Sequence, residues 1–210
     1  AAAHFSNEGT IQGSYRPLNN IVGMWIIQEC RRDWQKQGID LSWDAIVEAA
    51  KAATPLVSVI NPDAPDFYAG GNMVQKIKDF CRNTNQPVPE TVGAVARCVY
   101  ESLALKYRNA LEGLEAMKGQ RIDSLNIVGG AINNKFLDQL IADALDREVV
   151  TGPVEGAAIG NLLTQAMALG DIKDLDALRQ VVRNSESVET WTPNHTAAWD
   201  EAYETLLKLL

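Results

Sequence analysis

The sequence places two glycines, Gly129 and Gly130, between a short apolar run and an amphipathic pattern. The run Leu125–Val128 predicts a strand, and the residues from Asn133 onward predict a helix. Because glycine has no side chain, a strand that ends in paired glycines brings bare backbone up to a flat or anionic ligand. The same pair also fits a tight strand-to-helix turn without a ligand. The three-glycine dinucleotide fingerprint and the Lys-Ser/Thr of a phosphate-binding loop are both absent.

A second segment rich in small residues follows the next predicted strand, Glu148–Thr151. Gly152 and Pro153 are placed as the start of a helix that ends at Gly170. Four small residues leave little side chain on this helix: Gly156, Ala157, Ala158 and Gly160. They permit either close packing of the helix on a sheet or the close approach of a ligand.

The remaining pattern predicts the elements that carry these segments. Strand and helix alternate from Ser124 onward, which predicts a mixed or parallel sheet with helices packed against it. Turn glycines predict a hairpin over residues 5–17, and apolar spacing predicts a helix over residues 20–37. The other predicted elements are a strand over 56–60 and helices over 42–53, 72–83, 90–118, 133–145, 174–183 and 196–210. The predicted fold class is therefore α/β and rich in helix.

Composition and charge argue against several classes of function. The chain has 210 residues and a net charge of −8 without a basic cluster, so neither nucleic acid nor a membrane is an expected partner. The two histidines, His4 and His195, lie near opposite ends, which argues against a catalytic triad or a histidine metal site. The three cysteines fit no zinc spacing, and their small number favours the cytoplasm. We expect Cys81 and Cys98 to be reduced there, although a disulfide between them is sterically possible.

Several short segments together carry a resemblance to a known family. They are Val128-Gly129-Gly130, Asn134, Gln139-Leu140, Ala142-Asp143, Gly152-Pro153-Val154-Glu155 and Gly160-Asn161, and upstream Ser6-Asn7-Glu8-Gly9, Tyr15-Arg16, Asn20-Ile21, Gly23, Trp25, Gln28-Glu29, Ile60-Asn61-Pro62 and Pro87-Val88-Pro89-Glu90. These segments resemble the FGGY family of carbohydrate kinases, and the resemblance extends over about Phe5 to Pro193.

The resemblance implies an actin-like, ribonuclease-H-like ATPase fold of two domains, with ATP in the cleft and the sugar deeper between the domains. It implies that residues 1–210 form the C-terminal nucleotide-binding domain and that an N-terminal domain is their partner. The start at Ala1, without a Met, is expected for a piece of a longer protein.

The resemblance also assigns roles to individual residues. Gly130, beside Gly129, is expected to pack its backbone under the adenine or ribose of ATP. Asn134 is expected to hydrogen-bond the nucleotide, although a short amide at a helix start also serves as a cap. Gln28 resembles an ATP-contacting residue, and Asn20 resembles a sugar-contacting one.

Geometry on the predicted helix 20–37 agrees with this pairing. Residues 20 and 28 would be about 12 Å apart along one helix and about 80° apart around it, so one helix would contact both sugar and nucleotide. The alternatives are that Asn20 is an N-cap and Gln28 an ordinary polar helix residue.

The implied reaction is transfer of the γ-phosphoryl group of ATP to L-rhamnulose, giving ADP and L-rhamnulose 1-phosphate. Mg²⁺ is expected to be held mainly by the phosphates and the other domain. No residue of this chain matches the family's catalytic Asp or first phosphate loop, so no catalytic residue is assigned and the isolated chain is expected to be inactive. Two alternatives stay open: a kinase for L-fuculose or a pentulose, and a non-catalytic actin-like nucleotide-binding module.

Overall fold

The computed structural model describes residues 5–210, except for the side chain of Gln12, and His4 lies outside the described residues. Its strands are β1 (Ser6–Gly9), β2 (Tyr15–Leu18), β3 (Ser124–Ile127), β4 (Glu148–Thr151) and β5 (Glu189–Trp191). Its α-helices are α1 (Trp25–Lys36), α2 (Trp43–Ala52), α3 (Met73–Asn83), α4 (Val92–Lys118), α5 (Lys135–Leu145), α6 (Gly156–Leu169), α7 (Leu175–Ser185) and α8 (Ala197–Leu207). The hairpin and the helices therefore lie close to their predicted positions, with the exceptions given below.

The described strands form two separate sheets. β1 and β2 pair antiparallel, with Ser6 opposite Leu18. In the second sheet, β3 and β4 are parallel and β5 pairs antiparallel with β4, in the order β3-β4-β5. The predicted mixed sheet is confirmed. Strand β5 is absent from the sequence prediction because three residues are too few to show an alternating pattern.

The long helix α4 lies at the centre of the hydrophobic core, between α2 and α5. Its first turn is fixed by Thr91, whose side chain accepts a hydrogen bond from the Ala94 N–H at 3.1 Å. Gly93 allows α2 to approach closely, because a β-carbon there would lie 2.2 Å from the Ala49 carbonyl oxygen. The fully or almost fully buried residues of this helix include Val95, Ala96, Val99, Tyr100, Leu103, Ala104 and Leu105.

The first helix begins later than the sequence predicts. Helix α1 starts at Trp25 because Gly23 has a φ of +63°, outside the right-handed helical region. Asn20 is therefore neither the N-cap of this helix nor on the same helix as Gln28. The prediction that one helix carries both residues is wrong. Residues 19–24 instead form a loop between β2 and α1, here called the Asn20 loop.

The predicted strand over residues 56–60 is an irregular segment in the structure. The Val59 N–H donates to the Gln86 side chain at 2.8 Å. The Ile60 N–H donates to the Ser102 hydroxyl at 2.9 Å. Side chains thus satisfy backbone donors that a neighbouring strand would otherwise bind, and the strand prediction is wrong for that reason.

Helix α6 also differs from its prediction. It begins at Gly156 rather than at Gly152, because Gly152 has a φ of +124° and cannot belong to a helix. Pro153 consequently lies in the loop that precedes the helix. No residue of α6 is buried, and Leu162 and Leu169 are 67% and 81% exposed.

The cysteines Cys30, Cys81 and Cys98 are buried and unpaired. A hydrogen bond with Cys81, together with burial, raises the pKa of Cys98 well above its usual value.

Among the described helices, none has the length and apolar character needed to cross a membrane.

Candidate functional site

The glycine pair lies at the carboxyl end of the two parallel strands. After β3 ends at Ile127, Gly129 takes φ +90° and ψ −175°, a conformation that residues other than glycine rarely adopt. The Gly129 N–H donates to the Pro153 carbonyl at 3.1 Å, which ties this turn to the loop after β4. The Gly152 N–H donates to the Ile127 carbonyl at 2.9 Å. Both loops leave the same edge of the sheet, where α/β proteins commonly bind ligands.

Gly130 faces open space rather than another part of the chain. A β-carbon at Gly130 would meet no heavy atom within 4 Å, and the same holds for Gly160 on α6. A β-carbon at Gly156 would lie 3.1 Å from the β-carbon of Val128, so close packing explains that glycine. The positive φ of Gly129 explains why glycine stands at that position. Neither reason applies to Gly130, so neither packing nor backbone conformation accounts for glycine there.

Asn134 serves as the N-cap of α5. Its Oδ1 accepts a hydrogen bond from the Leu137 N–H at 3.1 Å, so capping uses the oxygen of the amide and not its Nδ2. The nearby Tyr100 is fully buried, and its hydroxyl has no hydrogen-bond partner within 3.5 Å. Burial raises the pKa of Tyr100 to about 12, and the Asn134 side chain acts in the opposite direction. Capping and ligand binding are therefore compatible at Asn134.

Gln28 and Asn20 belong to other elements than the glycine turn. Gln28 is an exposed residue in the first turn of α1. Asn20 lines an open cavity of about 1230 Å³ between the β1-β2 hairpin, the Asn20 loop, α4 and α8. Gly130 and Asn134 are not among the residues that line this cavity. The predicted nucleotide contacts Gly129, Gly130 and Asn134 therefore come together in one turn, whereas the predicted sugar contact Asn20 lines a cavity that Gly130 and Asn134 do not line.

The cavity beside Asn20 has a polar lining suited to a sugar. Asp63, Lys106 and Asn109 line it together with Asn20 and the ring of Tyr68. The amides of Asn20 and Asn109 each carry hydrogen-bond donors and an acceptor, which sugar hydroxyls require, whereas Asp63 and Lys106 are paired with each other at 3.1 Å. The volume exceeds what one monosaccharide needs. Sequence reasoning identified only Asn20 here, because the other residues come from distant parts of the chain.

Gln139 and Asp143, which belong to the family resemblance, have a structural role. The Gln139 amide donates to Asp143 Oδ1 at 2.7 Å and to the Thr192 carbonyl at 2.9 Å. Asp143 Oδ1 also accepts from the Asn194 N–H at 2.8 Å. These two residues therefore hold the segment after β5 against α5. In the sequence, the signal for this contact is their spacing of four residues, which places both side chains on one face of a helix.

Asp138 is a buried carboxylate with unusual proton affinity. It is 1% exposed, and its Oδ2 has no hydrogen-bond partner. Burial and then the charge of Glu189 raise the pKa of Asp138 to about 7, against the opposite effect of Lys135. It is not among the residues that line the cavity beside Asn20, so we assign it no contact with substrate. An Asp in the first turn of a helix is common, which is why the sequence did not single it out.

The described residues do not form a metal centre of their own. They contain no group of three or more His, Cys, Asp or Glu side chains that could hold a metal ion.

Solved structures show which known fold the chain shares. The chain superposes on the crystal structure of a xylulose kinase from Rhodospirillum rubrum with a TM-score of 0.66 at 17% identity, covering 98% of this chain and 41% of that one. The chain therefore has the fold of sugar kinases, and its helix-rich architecture with a mixed sheet agrees with the actin-like, ribonuclease-H-like fold that the family resemblance implies.

Sequence comparison gives the family. Residues 2–169 match the model of the C-terminal domain of the FGGY family of carbohydrate kinases. The chain is 42% identical over 202 residues to a rhamnulokinase from Bacteroides thetaiotaomicron, covering 96% of this chain and 41% of the relative. It is 39% identical over 190 residues to a rhamnulokinase from Bacillus subtilis, covering 90% and 39%. The chain belongs to the FGGY family of carbohydrate kinases and spans about two-fifths of the length of these relatives.

Proposed function

We propose that residues 1–210 form the C-terminal nucleotide-binding domain of a two-domain kinase that phosphorylates L-rhamnulose with ATP. Two relatives named rhamnulokinase, at 42% and 39% identity, support the sugar. The open space beside Gly130, at the carboxyl end of β3, is the observation that carries the nucleotide site. The unpaired cysteines support a cytoplasmic location.

The reaction transfers one phosphoryl group. The 1-hydroxyl oxygen of the ketose attacks the γ-phosphorus of ATP, a new P–O bond forms, and the bond between the γ-phosphorus and the β–γ bridging oxygen breaks, releasing ADP. A base removes the hydroxyl proton. This chain offers no residue that resembles the family's catalytic Asp, so we assign that proton transfer to the N-terminal domain.

In this proposal the chain binds and orients the two substrates. The backbone of Gly129 and Gly130 packs under the adenosine, and Asn134 Nδ2 donates to the nucleotide. Gln28 contacts ATP from α1, and Asn20 contacts the sugar from the cavity wall. Mg²⁺ accompanies the phosphates and is held mainly by the other domain.

A substitution at Gly130 tests the nucleotide site in the full-length protein. We expect Gly130→Val to raise the KM for ATP by about tenfold or more, because its side chain would occupy space that the adenosine needs. The KM for the sugar should stay within about twofold. Gly9→Val is the matched control, because a β-carbon at Gly9 also meets nothing within 4 Å. An unchanged KM for ATP would show that the nucleotide does not lie against Gly130.

A panel of ketoses tests the sugar. We expect the highest kcat/KM for L-rhamnulose, with lower values for L-fuculose and pentuloses. A higher kcat/KM for one of the others would replace L-rhamnulose as the substrate while leaving the kinase proposal intact. If no ketose is phosphorylated by the full-length protein, the non-catalytic actin-like module becomes the better description.

A further inference from the structure

We infer that Asp63 and Lys106 form an ion pair that positions the Asn20 loop for sugar binding. The inference rests on the proposed function, because it concerns the same sugar site. It assigns Asp63 and Lys106 a positioning role, in which they act on the sugar through Asn20 rather than by direct contact.

The Asp63 carboxylate joins α4 to the Asn20 loop. Its Oδ2 lies 3.1 Å from Nζ of Lys106 on α4. Its Oδ1 accepts a hydrogen bond from the Val22 N–H at 3.1 Å. Val22 is two residues beyond Asn20 in the same loop. One oxygen of the Asp63 carboxylate thus contacts Lys106 on the core helix α4, and the other contacts Val22 in the Asn20 loop.

The ion pair is partly shielded from water, which increases its strength. The Lys106 side chain is 12% exposed and that of Asp63 is 24% exposed. Exposed pairs on this chain, such as Lys51 with Glu48 at 47% and 69%, are expected to contribute much less. A hydrogen bond from an N–H group to a shielded carboxylate is also stronger than one between neutral groups.

The Asp63 carboxylate is itself held in place. The Asp63 N–H donates to Asn61 Oδ1 at 3.1 Å, which fixes the turn that carries the carboxylate. The Asn61 amide donates in turn to the Leu209 carbonyl at 3.2 Å, beyond the end of α8. Contacts therefore run from the C-terminal segment through the turn to the Asn20 loop.

The loop needs such support because it lacks regular structure. Residues 19–24 belong to neither a helix nor a strand, and Gly23 at their end has a φ of +63°. Asn20, Asp63 and Lys106 all line the same cavity of about 1230 Å³. A sugar contact on an unsupported loop would lose conformational freedom on binding, whereas a loop already fixed by Asp63 loses less.

The first experiment measures, without substrate, how firmly the Asp63 carboxylate holds the Val22 amide. Asp63→Asn keeps the shape of the side chain and removes the charge. We expect the Val22 amide hydrogen to exchange about tenfold faster in this variant. The control Glu48→Gln removes a carboxylate from an exposed pair and should leave Val22 exchange unchanged. Unchanged Val22 exchange in Asp63→Asn would overturn the inference.

The second experiment measures sugar binding in the full-length kinase. Asp63→Asn and Lys106→Gln should each raise the KM for the sugar by about tenfold, with the KM for ATP and kcat within about twofold. Lys106→Arg keeps the charge and should restore most of the affinity. A general loss of folding would instead lower kcat and affect both KM values, and that pattern would overturn the positioning role.

Asn20→Ala separates this inference from the proposed function. If Asn20→Ala leaves the sugar KM unchanged, the proposed sugar contact fails whatever Asp63 does. If Asn20→Ala raises the sugar KM while Asp63→Asn and Lys106→Gln do not, only the positioning role is overturned. If all three variants raise it and leave the KM for ATP unchanged, both are supported.

Discussion

Two adjacent glycines follow β3, and only the first has a backbone conformation that requires glycine. Gly129 has φ +90° and ψ −175°, so a side chain there strains the backbone. Gly130 carries no such conformation, and a β-carbon there meets nothing within 4 Å. Backbone conformation therefore favours glycine at position 129, whereas at position 130 only the proposed nucleotide gives a reason for glycine.

This difference gives a prediction for stability. Gly129→Ala should lower the free energy of unfolding of the chain by about 1–3 kcal/mol through backbone strain. Gly130→Ala, its neighbour and matched control, should change it by less than about 0.5 kcal/mol. Urea unfolding followed by circular dichroism measures both. Equal losses for the two variants would mean that Gly130 also has a structural role, and its glycine would then say nothing about a nucleotide.

At the scale of elements, the docking of α8 depends on a network of charged groups. His195 Nδ1 lies 2.7 Å from the Asp143 carbonyl oxygen on α5, and its Nε2 lies 3.1 Å from Asp200 Oδ2 on α8. Asp200 Oδ1 accepts from Arg108 on α4 at 2.8 Å. One histidine thus joins α5 to α8, and one arginine joins α8 to α4. The ring of Tyr203 packs under the Arg108 guanidinium at 4.2 Å.

The network should make stability depend on pH. Burial alone would lower the pKa of His195, but the hydrogen bond to Asp143 and the charges of Asp200 and Asp146 outweigh it and raise the pKa above 6.5. Protonated His195 therefore stabilises the fold at pH values below 6.5, and this contribution is lost as the pH rises through the raised pKa. Arg108 first, and then His195, lower the pKa of Asp200, so its own contribution disappears only in acid, below 3.8.

His195→Gln tests this dependence on pH, because glutamine keeps a hydrogen-bonding side chain but does not gain or lose a proton. The melting temperature of the original chain should exceed that of the variant at pH 5.5, and the difference should shrink by pH 8.5. A constant difference across this range would show that His195 contributes no charge to the docking of α8. Glu48→Gln, on an exposed pair in α2, controls for a general effect of charge.

The elements that could be predicted are those with a local pattern. Helix α4 shows apolar residues at helical spacing after the cap Thr91, and it begins at Val92 as that cap requires. The glycine turn was found for the same reason, because the pair and the strand before it are contiguous. The predicted strand over 56–60 failed because its donors bind side chains such as Ser102 that are distant in sequence. Asp63 and Lys106 were missed likewise, because only the folded chain brings them together.

At the scale of the whole molecule, this chain supplies one side of the proposed nucleotide site. The turn at Gly129 and Gly130 and the Asn134 amide lie at one sheet edge, and the described residues hold no cluster that could bind a metal ion. The family relatives are more than twice as long as the stretch this chain matches. Binding energy from one wall alone orients a ligand but does not stabilise the charge that develops on a transferring phosphoryl group.

We therefore expect the isolated 210-residue chain to show no kinase turnover. Phosphoryl transfer needs a base near the sugar hydroxyl and groups that stabilise the γ-phosphate, and the chain has no match to either family element. ADP release should be measured with ATP, Mg²⁺ and L-rhamnulose, with the full-length protein as the positive control. Turnover by the isolated chain above the rate of its Gly130→Val variant would contradict this expectation. It would place a catalytic base within these residues, and Asp138, whose pKa is about 7, would be the first carboxylate to substitute.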